Sequence, residues 1–308
     1  MKAMRLAGAA PLLIEADIPR PELHPGEVLV RVYAAGLTTA ELDWYPTSHT
    51  KTGSPRIGAV PSHEFSGTVA QIGGGIQSLS IGQEIYGMND WFADGALAEY
   101  CATRADWIAP KPASLSHIEA ASVPIDALTA WQGLFDRAKI QPGERVLIHG
   151  GAGAVGVFAI QLARWRGARV VTTVSAGNAA FVQELGADQV IDYQAVRFEE
   201  EARDLDVVFD TVGGDTLRRS WSVLKPDGRL VTITSDSDSL SEERAKHAFL
   251  LVEPNQRQLI EITRLLDARA IRTVIDTVLP LSRAADAYAG KVQRKGRGKL
   301  VVAVESES

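Results

Sequence analysis

The chain has 308 residues, 45% of them hydrophobic and 23% charged, a balance that suits a globular protein of two domains rather than one core. Its net charge of −6 argues against nucleic acid or an anionic membrane as the main partner, since both need a basic face. No apolar run approaches the ~20 residues that span a bilayer, and no apolar stretch of signal-peptide length precedes Glu15 and Asp17, so the expected location is the cytoplasm.

Up to about residue 115 the signals are short strands and turns. Residues 27–34 alternate with Val28, Val30 and Val32 on one face, after a Pro25-Gly26 turn. Residues 65–72 and 84–86 read as further strands, divided by Gly73-Gly74-Gly75 and Ile81-Gly82. The single cysteine, Cys101, excludes an internal disulfide and any multi-cysteine zinc site. It is expected to pack as a small residue in a strand over 97–101. Dense proline and glycine without helical periodicity predict a small β-barrel.

The pattern changes near Ser116, where Ser116-His117-Ile118-Glu119 resembles a capping box. Strands are then predicted over 145–149, 169–174, 189–193, 206–211, 229–234 and 249–252. Helices are predicted over 153–167, 179–185 (stopped by Gly186) and 215–224. Such alternation makes a parallel sheet with helices on both faces. Asn255 is expected to cap a helix running to about Ala268. A stretch over 273–279, a helix over 283–293 and a segment over 299–304 do not extend the pattern and are expected to return to the first domain. Residues 235–246 are polar and read as a loop or short surface helix.

Residues 144–171, ERVLIHGGAGAVGVFAIQLARWRGARVV, hold a strand, a glycine turn, a helix and a second strand in that order. The turn is Gly151-Ala152-Gly153-Ala154-Val155-Gly156. Gly151 allows the tight turn, Gly153 lets the backbone approach a pyrophosphate, and Gly156 lets the helix pack on the strand. Free N–H groups at the helix start then face the phosphates. The expected ligand is a dinucleotide. An acid at the end of the second strand would bond the ribose of NAD. Here that strand ends Val174-Ser175-Ala176-Gly177-Asn178, without a carboxylate to repel a 2′-phosphate. This favours NADP(H), with Ser175, Asn178 and Tyr193 as candidate phosphate ligands, although the basic residue expected in such a turn is missing. Tyr193 is alternatively a strand-end aromatic covering the core.

Several motifs together identify a family: Ala34-Ala35-Gly36-Leu37, residues 61–67 (PSHEFSG), 95–100 (GALAEY) and 128–131 (LTAW), the glycine turn, 185–188 (LGAD) with 190–193 (VIDY), and 209–214 (FDTVGG). In this order they resemble the medium-chain dehydrogenase/reductase superfamily over nearly the whole chain. Within it the chain is similar to the zinc-independent, zeta-crystallin-like quinone oxidoreductase branch. The resemblance implies an α/β protein with a GroES-like β-barrel catalytic domain over 1–115, completed by about 270–308. A Rossmann doubly wound parallel sheet would occupy 116–269, with the cofactor cleft at the junction. It also implies NADPH-linked reduction of quinones or activated alkenes, commonly by homodimers, for which an exposed edge at 249–252 is a candidate interface. Near the cofactor it places Thr129, Asp210, Val212, Gly213, Phe249, Leu251 and Lys299. The run Gly296-Arg297-Gly298-Lys299 reads alternatively as a solvated basic turn.

Zinc-dependent relatives hold their catalytic metal with two cysteines, a histidine and an acid. Thr38 stands where the first cysteine would be, and asparagine is frequent there in the zinc-independent branch. His63-Glu64 resembles the histidine-acid pair, and no second cysteine stands near Ile125-Asp126. One histidine is a poor zinc site, so no metal is expected, and His63 is read as a structural histidine or a proton donor. Without metal, alcohol oxidation lacks the Lewis acid that stabilises an alkoxide; reducing a conjugated acceptor needs less help, and orientation is the protein's main contribution. Thr38, Tyr45 or solvent would deliver the proton, unless Trp44 and Tyr45 merely cover the barrel. Two other functions share the architecture: an enoyl-thioester reductase, and a non-enzymatic NADPH-binding sensor or structural protein.

Overall fold

A computed structural model of the chain describes residues 1–7, 12–234 and 243–305. Nine strands belong to the two chain ends: β1 Lys2–Ala7, β2 Leu12–Asp17, β3 Glu27–Leu37, β4 Glu64–Ile72, β5 Glu84–Met88, β6 Tyr100–Arg104, β7 Ile108–Pro110, β13 Ile275–Pro280 and β14 Lys299–Ala303. β1 and β2 form a hairpin ladder. The other seven make one sheet in the order β13-β14-β3-β4-β5-β7, with β6 also pairing β3. The last strand therefore lies antiparallel beside β3, with Val302 opposite Ala35. The period-two pattern of β3 sends Val28, Val30 and Val32 into one core with Phe65, Val69, Ile85, Cys101, Leu300 and Val302. Burial pushes the Cys101 thiol up to about 12, which suits its packing role.

The middle of the chain forms a five-stranded parallel sheet from β8 Arg145–His149, β9 Arg169–Val174, β10 Gln189–Asp192, β11 Leu205–Asp210 and β12 Leu224–Thr232, in the order β10-β9-β8-β11-β12. Alternation along β8 covers both faces. Val146 and Ile148 join the core built on the helices Pro124–Trp131, Ala154–Trp165 and Gln256–Asp267, whereas Leu147 joins Phe198, Leu217 and Ala245 on the other face. The chain leaves β8 toward β9 and later returns on its other side to β11. The C-terminal end of β8 is thus a topological switch point, where open α/β sheets bind ligands.

Local signals account for several boundaries. Ser116 and Glu119 close a reciprocal capping box, and Asn255 accepts from the Gln258 N–H at 3.1 Å. Gly186, at φ +109°, stops the helix Ala179–Glu184. The helix Pro124–Trp131 runs on into a wider turn, Gln132–Arg137. There a Cβ on Gly133 would lie 2.4 Å from Phe209 of β11.

Three expectations need correction. The strand predicted over 97–101 begins at Tyr100, because Leu97 and Ala98 pair with β1 instead, Met4 N–H donating to the Leu97 carbonyl at 2.8 Å. The helix predicted over 283–293 spans only Ala284–Tyr288 and ends at Gly290, at φ +67°. The strand predicted over 249–252 is a single bridge from Phe249 to Thr232. Beyond it the backbone is held by side chains: Gln132 pairs with both the N–H and the carbonyl of Glu253, and Trp91 Nε1 donates to the Val252 carbonyl at 3.2 Å. Of the polar segment 235–246, residues 235–242 lie outside the described residues, and the helix Glu243–Ala248 follows them.

Candidate active site

The glycine turn closes the gap between β8 and the helix Ala154–Trp165. Its left-handed residue is Gly150, at φ +75°, not Gly151, so the tight turn falls one residue earlier than the motif suggests. Gly151 is needed for room: a Cβ there would meet Thr172 Oγ1 of β9 at 2.1 Å. Gly156 lies against the turn itself, its Cβ position 2.2 Å from the Gly150 carbonyl oxygen. Gly153 meets only that oxygen, at 3.2 Å, and opens outward. As the N-cap it has no side chain to bond the first N–H groups of the helix, which leaves them for an anion. The turn fits a pyrophosphate.

A cavity of about 620 Å³ opens beside the turn, within the size of small-molecule sites. Gly150, Ala152, Gly153, Ser175, Asn178, Tyr193 and Val212 all line it. The structure thus gathers the proposed 2′-phosphate ligands with the glycine turn. His149 forms part of its wall, its Nδ1 3.0 Å from Thr173 Oγ1 and its Nε2 3.0 Å from Ser220 Oγ. Burial, then the nearby Arg219 charge, pushes His149 down to about 3, so the ring is neutral at physiological pH.

The cation missing from the β9 turn arrives from the other end of the chain. Arg297 donates from Nε to Asn178 Oδ1 at 2.7 Å and from a terminal nitrogen to the Gly177 carbonyl at 2.8 Å. Its guanidinium lies over the Phe181 ring, 4.8 Å from the centroid. The loop carrying it is fastened to the glycine turn by Gly298 N–H donating to the Ala152 carbonyl at 2.9 Å. Gly150 and Arg297 are the two residues that reading the sequence missed. The doubled glycine before the motif was the available signal for the first, and the Gly296–Lys299 run for the second.

Other candidates stand further away. Asp210 is fully buried and braces its own turn, accepting from the N–H groups of Val212 and Gly213 and from Thr232 Oγ1. Thr129 is buried and bonds the Ile125 carbonyl one helical turn back at 2.6 Å. Phe249 sits at the sheet edge, and Leu251 is 55% exposed. Ala154 and Val155 start the helix, Val155 packing on the core. Tyr45 is 56% exposed and stacks flat on His49 with centroids 4.4 Å apart.

Thr38 and Lys299 meet. The Lys299 ammonium is buried, lies 3.3 Å from Thr38 Oγ1 and 3.2 Å from Asp126 Oδ1, and pairs closely with Glu64. Lys299 therefore turns into the barrel and does not line the cavity. Glu64 also accepts from the Ile125 N–H at 2.8 Å. Burial raises both Glu64 and Asp126, against the pull of Lys299. His63 lies beside this cluster, its Nε2 3.9 Å from Glu41 Oε2 and its ring 5.3 Å from Trp91. Its Nδ1 has no hydrogen-bond partner among the described residues. Burial holds His63 down at about 4 and lifts Glu41 to about 7.

A glycine-turn nucleotide fold joined to a small barrel defines the class, an oxidoreductase that works with a nicotinamide cofactor on a small molecule. Residues 24–113 match the family described as alcohol dehydrogenase GroES-like domain, and residues 185–302 that described as zinc-binding dehydrogenase. A solved quinone oxidoreductase from Coxiella burnetii is 33% identical over 99% of each chain, with a TM-score of 0.89. The 2-methylene-furan-3-one reductase of Solanum lycopersicum is 31% identical, over 94% of this chain and 75% of that one. The chloroplastic NADPH-dependent alkenal/one oxidoreductase of Arabidopsis thaliana is 30% identical, over 96% and 76%. The chain belongs to the medium-chain dehydrogenase/reductase superfamily, in its quinone oxidoreductase branch.

The name of the second matched family raises the question of zinc. The residues do not fit it: Glu64 is committed to a lysine, a buried ammonium lies beside Thr38, and His63 would be left as one neutral donor where zinc takes three or four. Among the described residues no cluster of three or more histidine, cysteine or acidic side chains could hold a metal ion. Nor, among them, is any helix long and apolar enough to cross a membrane.

Proposed function

We propose that this chain reduces quinones, or alkenes conjugated to a carbonyl, with NADPH as the hydride source. The observation that carries the NADP reading is Arg297 fixed on Asn178 beside Ser175, with no carboxylate at the end of β9. A guanidinium so placed offers charge-assisted bonds to a 2′-phosphate. Gly153 and the helix start would hold the pyrophosphate, and Tyr193 and Val212 would flank the adenosine half. When bound, NADPH supplies a hydride. The chain's own residues orient the acceptor and screen it from water. The similarity to quinone and alkenal oxidoreductases supports the acceptor class.

The test is loss of NADPH absorbance with a panel of quinones and enones, alongside NADH. Turnover with NADPH and at least one acceptor is expected; no turnover with any of them would sink the reading. A second reading, enoyl-thioester reduction, draws on the likeness to the CurK enoyl reductase, 26% identical over 98% of this chain with a TM-score of 0.83. Faster reduction of crotonyl thioesters than of free quinones would favour it. We also infer that the barrel domain takes residues 1–115 and about 270–308, because β13 and β14 pair into its sheet. A homodimer through the edge beyond β12 is in keeping with exposed Leu251, and light scattering of the purified chain reads it directly.

A further inference from the structure

An ammonium group has three N–H donors and no acceptor. Lys299 Nζ faces three acceptors: Glu64 Oε1, the Asp126 carboxylate and Thr38 Oγ1. The ammonium cannot accept, so in the Lys299–Thr38 contact the threonine oxygen must accept. The Thr38 hydroxyl proton is thereby free to point elsewhere. It caps nothing: Thr38 precedes the short helical turn Thr39–Asp43 without a side-chain cap bond. No acceptor for that proton occurs among the described residues, and Thr38 is only half-buried where Lys299 is sealed. The lysine is held rigidly in turn. Gly36 leaves no room for a Cβ beside Glu64, whose Oε1 would lie 2.6 Å away, and the loop just before Lys299 is tied to the glycine turn.

We propose that Lys299 locks Thr38 as a hydrogen-bond donor to the carbonyl oxygen of the acceptor, so that one oriented hydroxyl faces the atom a zinc ion would polarise in metal-dependent relatives. Thr38 is then a catalytic residue, and Lys299, Glu64 and Asp126 are positioning residues. The proposal rests on the reading of the site as one for carbonyl-conjugated acceptors. The hydride brings the two electrons of the new C–H bond from the dinucleotide; the C=C π pair shifts to form a double bond to the carbonyl carbon, and the C=O π pair moves onto oxygen. The oxygen bears the negative charge until a proton from water completes the reduction. The Thr38 donor faces the atom where charge collects, the arrangement that stabilises oxyanions in water-excluded sites. It favours acceptors whose charge ends on oxygen.

p-Nitrophenol tests this without turnover. Its phenolate presents the same oxyanion, it takes no hydride, and its colour reports ionisation. With the NADP⁺-loaded protein, bound p-nitrophenol should ionise at lower pH than in water. Thr38→Val should weaken phenolate binding about tenfold or more, the loss expected for one hydrogen bond to a charged oxygen, and Thr38→Ser should restore it. The neutral triple variant K299M/E64Q/D126N should abolish the ionisation shift. Thr38→Val leaves Lys299 on both carboxylates, so the test does not depend on the triple variant folding. No binding, binding without a shift, or phenolate held equally well by Thr38→Val would overturn the proposal. Failure of the quinone-reductase reading would show separately, as a phenolate shift that behaves as expected with no NADPH oxidation by any acceptor.

Discussion

Arg297 Nε donates to Asn178 Oδ1 at 2.7 Å across 119 positions of sequence, so the loop before β14 is bound to the turn at the end of β9. Arg297→Met keeps an aliphatic stem and removes the guanidinium with its contacts to Asn178, Gly177 and Phe181. NADPH affinity should fall by about tenfold to a hundredfold, the range for one charge-assisted phosphate contact, while NADH affinity changes little. Cofactor fluorescence titration measures both, and an equal loss for the two cofactors would rule out the 2′-phosphate as the partner.

The glycines of the turn should separate by cost. In Gly156→Ala the new methyl would stand 2.2 Å from the Gly150 carbonyl oxygen and 2.8 Å from Gly151 Cα, both backbone atoms that cannot swing aside. A loss of about 1–3 kcal/mol is expected from overpacking, read as a lower urea midpoint. Gly153→Ala meets only one atom, at 3.2 Å, and faces the cavity. Its stability should change little while cofactor affinity drops, because the methyl occupies the path of the pyrophosphate. Equal destabilisation by both would contradict this division.

What could be read from the sequence was what depends on near neighbours. The capping box at Ser116 and Glu119, the Asn255 cap, the stop at Gly186 and the β3 alternation all involve residues within a few positions of each other. The site is legible only where one strand and one turn supply it, as with Gly153, Ser175 and Asn178. The pairs that complete it join distant segments: Arg297 with Asn178, and Lys299 with Thr38, 261 positions apart. Charge alone could not tell a solvated basic turn from an arginine bound to the β9 turn and a buried cation two residues apart. The run at 249–252 has the composition of a strand. Its backbone partners past Leu250 are side chains, Gln132 and Trp91, and no periodicity announces those.

Trp91 tests that last point. Its ring packs edge-on to Trp44, and its Nε1 bonds the Val252 carbonyl. Trp91→Phe retains an aromatic ring and loses the donor, which should cost about 1 kcal/mol of stability. Amide hydrogen exchange should rise locally, over residues 251–253, because past Leu250 Gln132 alone then holds the backbone. Unchanged protection there would mean that the indole bond does not restrain it.

The buried titratable groups set opposing pH limbs. His149 and His63 have folded-state values near 3 and 4, below their usual 6.5. Below about pH 6.5 the unfolded chain binds protons that the folded chain refuses. Stability therefore falls with pH, by up to about 1.4 kcal/mol per unit for each histidine, until the folded values are reached. Glu41 runs the other way. Raised to about 7 from 4.5, it contributes fully below about pH 4.5, and that contribution is lost as pH rises through 7. Between about 4.5 and 6.5 it offsets one of the two histidines, and acid loss steepens below that window. In His149→Gln an amide replaces the ring beside Thr173 and Ser220 and does not titrate. Urea unfolding of both proteins from pH 7 to 4 should show the wild type losing stability relative to the variant once pH drops below about 6.5. Parallel curves would mean that His149 takes up its proton in the folded state as readily as in the unfolded one, and that its burial between Thr173, Ser220 and Phe198 does not hold it neutral.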